Sequence, residues 1–141
     1  VLHKWREQHD QYPAGHKYKS LFPPPSKQKW FQYISDPHSK HFYKTITRLR
    51  SGHGLCNQYL HKIMPERFAP TCPRCSEDES LEHIILVCPA LITSREILLQ
   101  KITATSDTIL QPLNLDSLMS SGEVAIYKAI FDFLRQNNIN I

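Results

Sequence analysis

The feature that most constrains this chain is a cluster of three cysteines and one histidine. Two residues separate Cys72 from Cys75, seven more lead to His83, and four more lead to Cys88. Three thiols and one imidazole form the Cys3His ligand set of structural zinc sites, in which the tetrahedral metal keeps no open position. We therefore expect these four side chains to bind a structural zinc ion, which would give a small chain a strong reason to fold.

A tight turn is predicted to present the first two ligands. Pro73 fixes one backbone angle, and the two intervening residues bring the sulfurs of Cys72 and Cys75 to the same side. Alternatively, these two cysteines could form a disulfide, or some cysteines could be small buried hydrophobic side chains. Nothing resembling a secretory signal precedes them, so we expect an intracellular protein, in the nucleus or the cytoplasm. Cys56 is expected to be a packed residue within a helix.

The other two ligands come from an apolar run at residues 82–88. The run is long enough for two helical turns, and Pro89 ends it. His83 is expected in the first turn. Positions five apart do not share a face of an α-helix, so Cys88 is expected to bend back at a frayed last turn. His61 is the best substitute if one of the four ligands fails.

Length and charge predict one domain with an arm. At 141 residues the chain suffices for a single core, and it holds no apolar stretch long enough for a membrane span. Residues 1–67 carry twelve Lys and Arg against four Asp and Glu, whereas residues 68–141 carry five against nine. This asymmetry favours a polyanion-facing part joined to a structural module, although an ordinary solvated surface explains it equally well.

Residues 1–35 are predicted to be an arm or linker, and residues 36–141 a helical zinc-binding domain. The arm begins with a short amphipathic helix and then looks extended over residues 12–31, because three consecutive prolines favour a polyproline II spacer. Its lysines alternate with aromatic residues, so they could hold phosphates while the rings stack on bases. Alternatively, the rings pack onto the domain, which we expect for Trp30 and Phe31. The candidate phosphate contacts in the arm are Lys17, Lys19, Lys27 and Lys29.

A well-delimited helix is predicted after the arm. Asp36 is a candidate N-cap, Pro37 suits the first helical position, and Gly52 suits the stop. Its buried stripe is predicted to consist of Phe42, Ile46 and Leu49.

A basic ridge is predicted on the opposite face of that helix. Lys40, Lys44 and Arg48 fall there at helical spacing, beside hydroxyl side chains. Cations and hydroxyls together suit phosphate contact, although a charged face opposite a core stripe is often simply solvated.

The remaining segments also predict helices, so the expected fold class is all-α. A short helix at residues 55–64 should pack through Leu55, Tyr59, Leu60 and Ile63. One amphipathic stretch, beginning at Thr93 or Ser94, should follow, with apolar positions at Leu91, Ile92, Ile97, Leu98, Leu99 and Ile102. Residues 106–119 should form a linker. The last helix should begin with a capping box at Ser120 and Glu123, and its inner face should comprise Val124, Tyr127, Ile130, Phe131 and Leu134.

Catalytic patterns are missing from this sequence. It contains neither a glycine-rich phosphate loop nor a serine nucleophile in a tight elbow. The acidic run at residues 77–79 lies in the loop between the metal ligands, where it is expected to be solubilising, since magnesium sites of nucleases need carboxylates from separate rigid elements. We therefore expect no enzymatic activity from this chain itself.

The sequence resembles the C-terminal region of LINE-type (non-LTR) retrotransposon polyproteins, which follows reverse transcriptase and ribonuclease H. The most specific part is Arg-Leu-Arg-Ser-Gly-His at 48–53, then Asn-Gln-Tyr-Leu at 57–60 and Glu-His-Ile-Ile-Leu-Val-Cys-Pro at 82–89. Trp-Arg-Glu-Gln at 5–8 is similar to the exit from ribonuclease H, and Ala-Ile-Phe-Asp-Phe-Leu at 129–134 to the close of such proteins. The resemblance therefore covers essentially the whole chain.

This resemblance implies a zinc-binding module that handles nucleic acid in cis with an upstream polymerase. Cys72, Cys75, His83 and Cys88 match the family's metal ligands, and Arg48, Arg50 and His53 match its motif before the zinc site. The polymerase and ribonuclease H motifs are absent from this chain.

Three functional hypotheses follow. The first is a zinc-stabilised accessory domain that binds RNA or DNA backbone beside the reverse transcriptase and ribonuclease H domains. The second is a domesticated protein-interaction module in which zinc only stabilises the fold. The third, a hydrolytic metalloenzyme, ranks last because three thiolates and one imidazole fill the tetrahedron.

Overall fold

A computed structural model of the chain describes residues 2–22, 24, 39–105 and 113–141. Within these ranges the protein is all-helical, as the sequence predicted, apart from an isolated bridge between Thr71 and Asp78. Its α-helices are α1 (Leu2–Gln11), α2 (His16–Leu21), α3 (Ser39–Ser51), α4 (Asn57–Ile63), α5 (Ile92–Thr105), α6 (Leu115–Ser120) and α7 (Val124–Gln136). A π-helical segment, His83–Val87, and a short 3₁₀ turn, Pro89–Leu91, precede α5. The predicted boundary at residues 35 and 36, and the predictions for Lys27, Lys29, Trp30, Phe31, Asp36 and Pro37, lie outside the described residues.

Helix α7 forms the centre of the core. It packs against α5, α3 and α6, and apolar residues are buried on most of its circumference. The predicted inner face is confirmed for Tyr127, Ile130, Phe131 and Leu134, while Val124 is only half-buried. Ile126 and Phe133 are buried as well, because neighbours enclose this helix from several sides.

Helix α3 has the predicted buried stripe and the predicted end. Phe42, Ile46 and Leu49 are at most 3% exposed. At the end, Gly52 has a φ of 73°, its N–H donates to the Leu49 carbonyl at 3.2 Å, and the next N–H donates to the Arg48 carbonyl at 3.0 Å. This pair of bonds is a Schellman motif, which requires the left-handed backbone that glycine adopts without strain.

The arm is more ordered than the sequence predicted. The helix at α1 is confirmed, but residues 16–21 form helix α2, so the expectation of an extended chain was wrong there. The reason is packing at Phe22. This residue is only 5% exposed, its ring lies 4.6 Å from that of Tyr18, and the Arg50 guanidinium stacks 3.8 Å from its centroid. A helical turn thus anchors the described part of the arm to the core.

Two further sets of packing predictions were right only in part: Tyr59 packs against the core, and Leu91, Leu98 and Ile102 are buried, but other members are exposed. Helix α4 covers only Asn57–Ile63, so Leu55 precedes it and is 40% exposed. Ile63, at the end of α4, is 54% exposed. In α5, Ile92 and Ile97 point outward, because the contact with α7 is made by another face of the helix. That face carries Leu98 and Ile102.

The capping box occurs at a different helix from the one predicted. Residues 113–119, expected to be linker, contain the start of α6, where the Asn114 side chain accepts from the Ser117 N–H at 2.7 Å and the Ser117 hydroxyl accepts from the Asn114 N–H at 3.2 Å. Ser120 ends α6, and α7 begins with Glu123 at its N-cap position. Among the described helices, none is long and apolar enough to cross a membrane.

Candidate metal centre

The four predicted metal ligands converge in space. One ligand atom from each of Cys72, Cys75, His83 and Cys88 lies within 4.8 Å of all the others. The Cys88 sulfur is 3.9 Å from that of Cys72 and 3.8 Å from that of Cys75, and His83 Nε2 is 3.2 Å from the Cys75 sulfur. A tetrahedron with Zn–S bonds of about 2.3 Å has S···S edges of about 3.8 Å. The residues therefore fit a metal ion such as zinc.

The first two ligands lie on the tight turn that the sequence predicted. The Cys72 N–H donates to the Glu77 carbonyl at 2.6 Å, and the Ser76 N–H donates to the Cys72 carbonyl at 2.8 Å. Ser76 has a φ of 67°, a left-handed conformation that closes the turn. All four cysteines are free, so the alternative of a disulfide between Cys72 and Cys75 does not apply to this fold.

A π-helical segment brings the other two ligands together. The Cys88 N–H donates to the His83 carbonyl at 2.7 Å, which is the i to i+5 bond of a π-turn. This wider turn places residues five apart close to one another, which an α-turn does not do. The expected frayed α-helical end was therefore wrong, and an ordered π-turn takes its place.

Arg95 supports this segment from α5. It is 8% exposed, its Nε donates to the Ile85 carbonyl at 3.1 Å, and its Nη2 donates to the Cys88 carbonyl. It thereby fixes the backbone of Cys88 and places a positive charge beside the cluster. With a divalent ion bound by three thiolates and one neutral imidazole, the cluster would carry a net negative charge that this cation would offset. Sequence analysis missed this role, since a charged residue on an amphipathic helix usually faces water.

Glu79 joins the metal loop to α4. It is 6% exposed, and its carboxylate accepts from the Asn57 N–H at 3.0 Å, while its carbonyl accepts from the Gln58 N–H at 3.0 Å. The solubilising role expected for residues 77–79 was therefore wrong for Glu79, although Glu77 and Asp78 are exposed. Cys56 is buried, as predicted, but it precedes α4 in an extended conformation and its side chain makes no capping hydrogen bond. The carboxylate of Glu79 supplies that missing cap.

Burial sets the charge state of the first ligand. Desolvation raises the pKa of the Cys72 thiol to about 11, so in the absence of a metal the thiol is protonated at neutral pH. A metal ion binds the thiolate, so its binding releases the proton.

The predicted basic ridge is only partly solvent-facing. Lys40 and Lys44 are exposed, as expected. Arg48 is half-buried and donates to the Ile141 carbonyl at 2.9 Å, so its predicted place on the open face was wrong. Arg50 donates to the Tyr127 hydroxyl at 2.7 Å and to a main-chain carbonyl of α6, which ties α3 to α6 and α7. Burial raises the pKa of Tyr127, and the Arg50 charge opposes that shift.

The other candidate contacts lie at separate places. His53 is exposed, and its ring packs edge-on against Tyr59 at 5.9 Å. Lys17 pairs with Asp116 at 3.1 Å, and the Lys19 ammonium donates to the Tyr12 carbonyl. His61, the proposed substitute ligand, instead lies 2.6 Å from the Phe68 carbonyl and outside the four-residue cluster.

Comparison with known proteins finds no match, whether to a protein-family model, to a curated protein or to a solved structure.

Proposed function

We propose that this chain is a zinc-stabilised, non-catalytic accessory domain that binds the backbone of RNA or DNA, acting in cis with an upstream reverse transcriptase and ribonuclease H. The retroelement context is the implication of the sequence resemblance. The zinc and the nucleic-acid contacts are supported by separate features of the fold.

The four ligand side chains support a structural role for zinc. Three sulfurs and one imidazole nitrogen fill a tetrahedron, and three of the four ligand residues are buried. A substrate would find no open coordination position at such an ion. Cys72 and Cys75 would hold it from the tight turn, and His83 and Cys88 from the π-turn. The ion would thus join the turn that carries Cys72 and Cys75 to the π-turn, whose Ile84 and Ile85 are buried in the core.

The composition and exposure of α3 are the main support for nucleic-acid binding. The helix contains two lysines and two arginines but no acidic residue, and its buried stripe fixes it rigidly on the core. Lys40 and Lys44 extend from this fixed helix into solvent, one turn apart. Lysines at this spacing suit successive phosphates of a backbone, whereas they carry no information on base sequence.

The salt dependence of binding tests this proposal. In the double variant K40A/K44A, affinity for a single-stranded oligonucleotide should fall, and the slope of log affinity against log salt should flatten by roughly 1.4 because two phosphate contacts are lost. The matched control is K101A/K128A, which removes two exposed lysines from α5 and α7 and changes the net charge equally. Arg48 is left intact, since its bond to the Ile141 carbonyl makes it part of the fold.

Equal slopes for the two double variants would contradict the assignment to α3 and would leave only an effect of net charge. Absence of any binding by the unmodified chain at low salt would contradict nucleic-acid binding altogether. In that case the interaction-module hypothesis, with zinc only stabilising the fold, would take its place.

A further inference from the structure

An aromatic cleft lies between α1 and α2, on a part of the molecule separate from the metal centre. This open cleft has a volume of about 510 Å³, and its lining includes Trp5, Tyr12 and Tyr18 together with His9 and Lys19. This volume falls within the range of about 300 to 1,000 Å³ that is typical of ligand pockets. The three rings are 59%, 64% and 41% exposed, respectively.

The rings of Trp5 and Tyr12 are not part of the buried core. No residue of α1 is buried, so the aromatic face of that helix is not needed for packing within the described residues. Clustered aromatic side chains exposed to water are unfavourable unless a partner covers them. The cleft is therefore a candidate binding site.

The cleft is also held in a fixed shape. Gly15 has a φ of 75° and forms the corner between the two helices, and the Lys19 ammonium donates to the Tyr12 carbonyl across that corner. Tyr18 stacks near Phe22, which is buried in the core, and Lys17 pairs with Asp116 of α6. One wall of the cleft is thus tied to the folded domain.

Charge around the cleft favours an anionic occupant. Residues 2–22 hold four Lys and Arg against two acidic residues. Of these cations, Lys19 lines the cleft, whereas Lys17 pairs with Asp116. Both acids lie within ion-pair distance of histidines, Glu7 at 3.4 Å from His3 and Asp10 at 3.1 Å from His9. Aromatic rings bordered by cations are the pattern by which proteins bind single-stranded nucleic acid, since bases stack on the rings while cations face the phosphates.

We propose that this cleft stacks bases of a single-stranded nucleic acid, with Trp5 and Tyr12 as the stacking platforms. The proposal rests on the proposed function and adds a second contact to it, in which α3 holds phosphates and the cleft holds bases. Stacking tolerates every base, so this contact adds affinity without strong sequence preference.

Affinity measurements on W5A and Y12A test the stacking. Each variant should bind a single-stranded oligonucleotide at least 5-fold more weakly, the low end expected for one lost stacking contact. The salt slope should stay unchanged, because stacking releases no counterions. Neither residue is buried, so far-ultraviolet circular dichroism and melting should match the unmodified chain. I97A, which removes another exposed apolar side chain, is the control and should bind normally.

Fluorescence provides an independent readout. The chain has two tryptophans, so W30F leaves Trp5 as its only indole. Titration with the oligonucleotide should quench Trp5 emission, whereas an abasic strand of equal length should bind through its phosphates without quenching.

Two failures can be told apart. Suppose that W5A and Y12A bind the oligonucleotide with normal affinity, and that Trp5 emission in W30F is unchanged on titration. The cleft then does not hold bases, although phosphate binding by α3 survives. If the unmodified chain binds no oligonucleotide at low salt, this inference and the proposed function are both wrong.

Discussion

Replacing Arg95 by methionine should destabilise the protein strongly, although this residue is not itself a metal ligand. Methionine retains an unbranched apolar stem, but it removes both donors from the buried carbonyls of Ile85 and Cys88. The Cys88 carbonyl keeps the Leu91 N–H, which donates to it at 3.1 Å, whereas the Ile85 carbonyl loses its side-chain donor. One buried carbonyl without that partner costs about 1 to 3 kcal/mol, so the free energy of unfolding should fall by about that amount. Zinc affinity should fall as well, because the backbone of Cys88 loses its support.

Urea unfolding in excess zinc measures the first effect, and competition with a chromophoric chelator measures the second. R95K, which restores a cation with fewer fixed donors, should fall between R95M and the unmodified chain. K101M removes an exposed charge from the same helix and serves as the control. If R95M unfolds at the same urea concentration as K101M and binds zinc equally well, Arg95 does not support the π-turn.

Three further predictions follow from the fold. C75S should lose zinc and cooperative unfolding, whereas C56S, which alters a buried thiol outside the cluster, should keep zinc by elemental analysis. Because the pKa of the Cys72 thiol is about 11 against 9.0 for the free thiol, zinc must displace its proton, so the apparent zinc affinity should fall at least about 10-fold for each unit that the pH falls below 9, and competition with a chelator should detect this fall. G52A should cost about 1 to 2 kcal/mol in urea unfolding, since its left-handed φ of 73° disfavours a Cβ, and a cost near zero would contradict the Schellman end of α3.

The metal ligands and the main helices could be predicted because their signals are local. Ligand type and spacing pointed to the convergence of Cys72, Cys75, His83 and Cys88. Likewise, the period of apolar residues and the position of Gly52 were enough to predict the buried face and the end of α3.

The errors arise where distant contacts decide the local structure. A π-turn and an α-turn differ by one residue in their hydrogen bonds, and the sequence at residues 83–88 gives no local sign of which one forms. Arg95 and Glu79 appear solvated from sequence alone, since their carbonyl and amide partners come from other elements. For the same reason helical spacing predicts equal exposure for Arg48 and Lys44, because it does not show that Arg48 donates to the distant Ile141 carbonyl.

The zinc content of the purified chain tests the central claim most directly. Native mass spectrometry should show one zinc ion per chain, with loss of the protons that the bound thiols release, and chelation should lower the melting temperature sharply. The expected effect is large, since structural zinc contributes on the order of 10 kcal/mol to small domains. A chain that carries no metal, and that melts at the same temperature before and after chelation, would contradict the proposal that zinc holds this fold together.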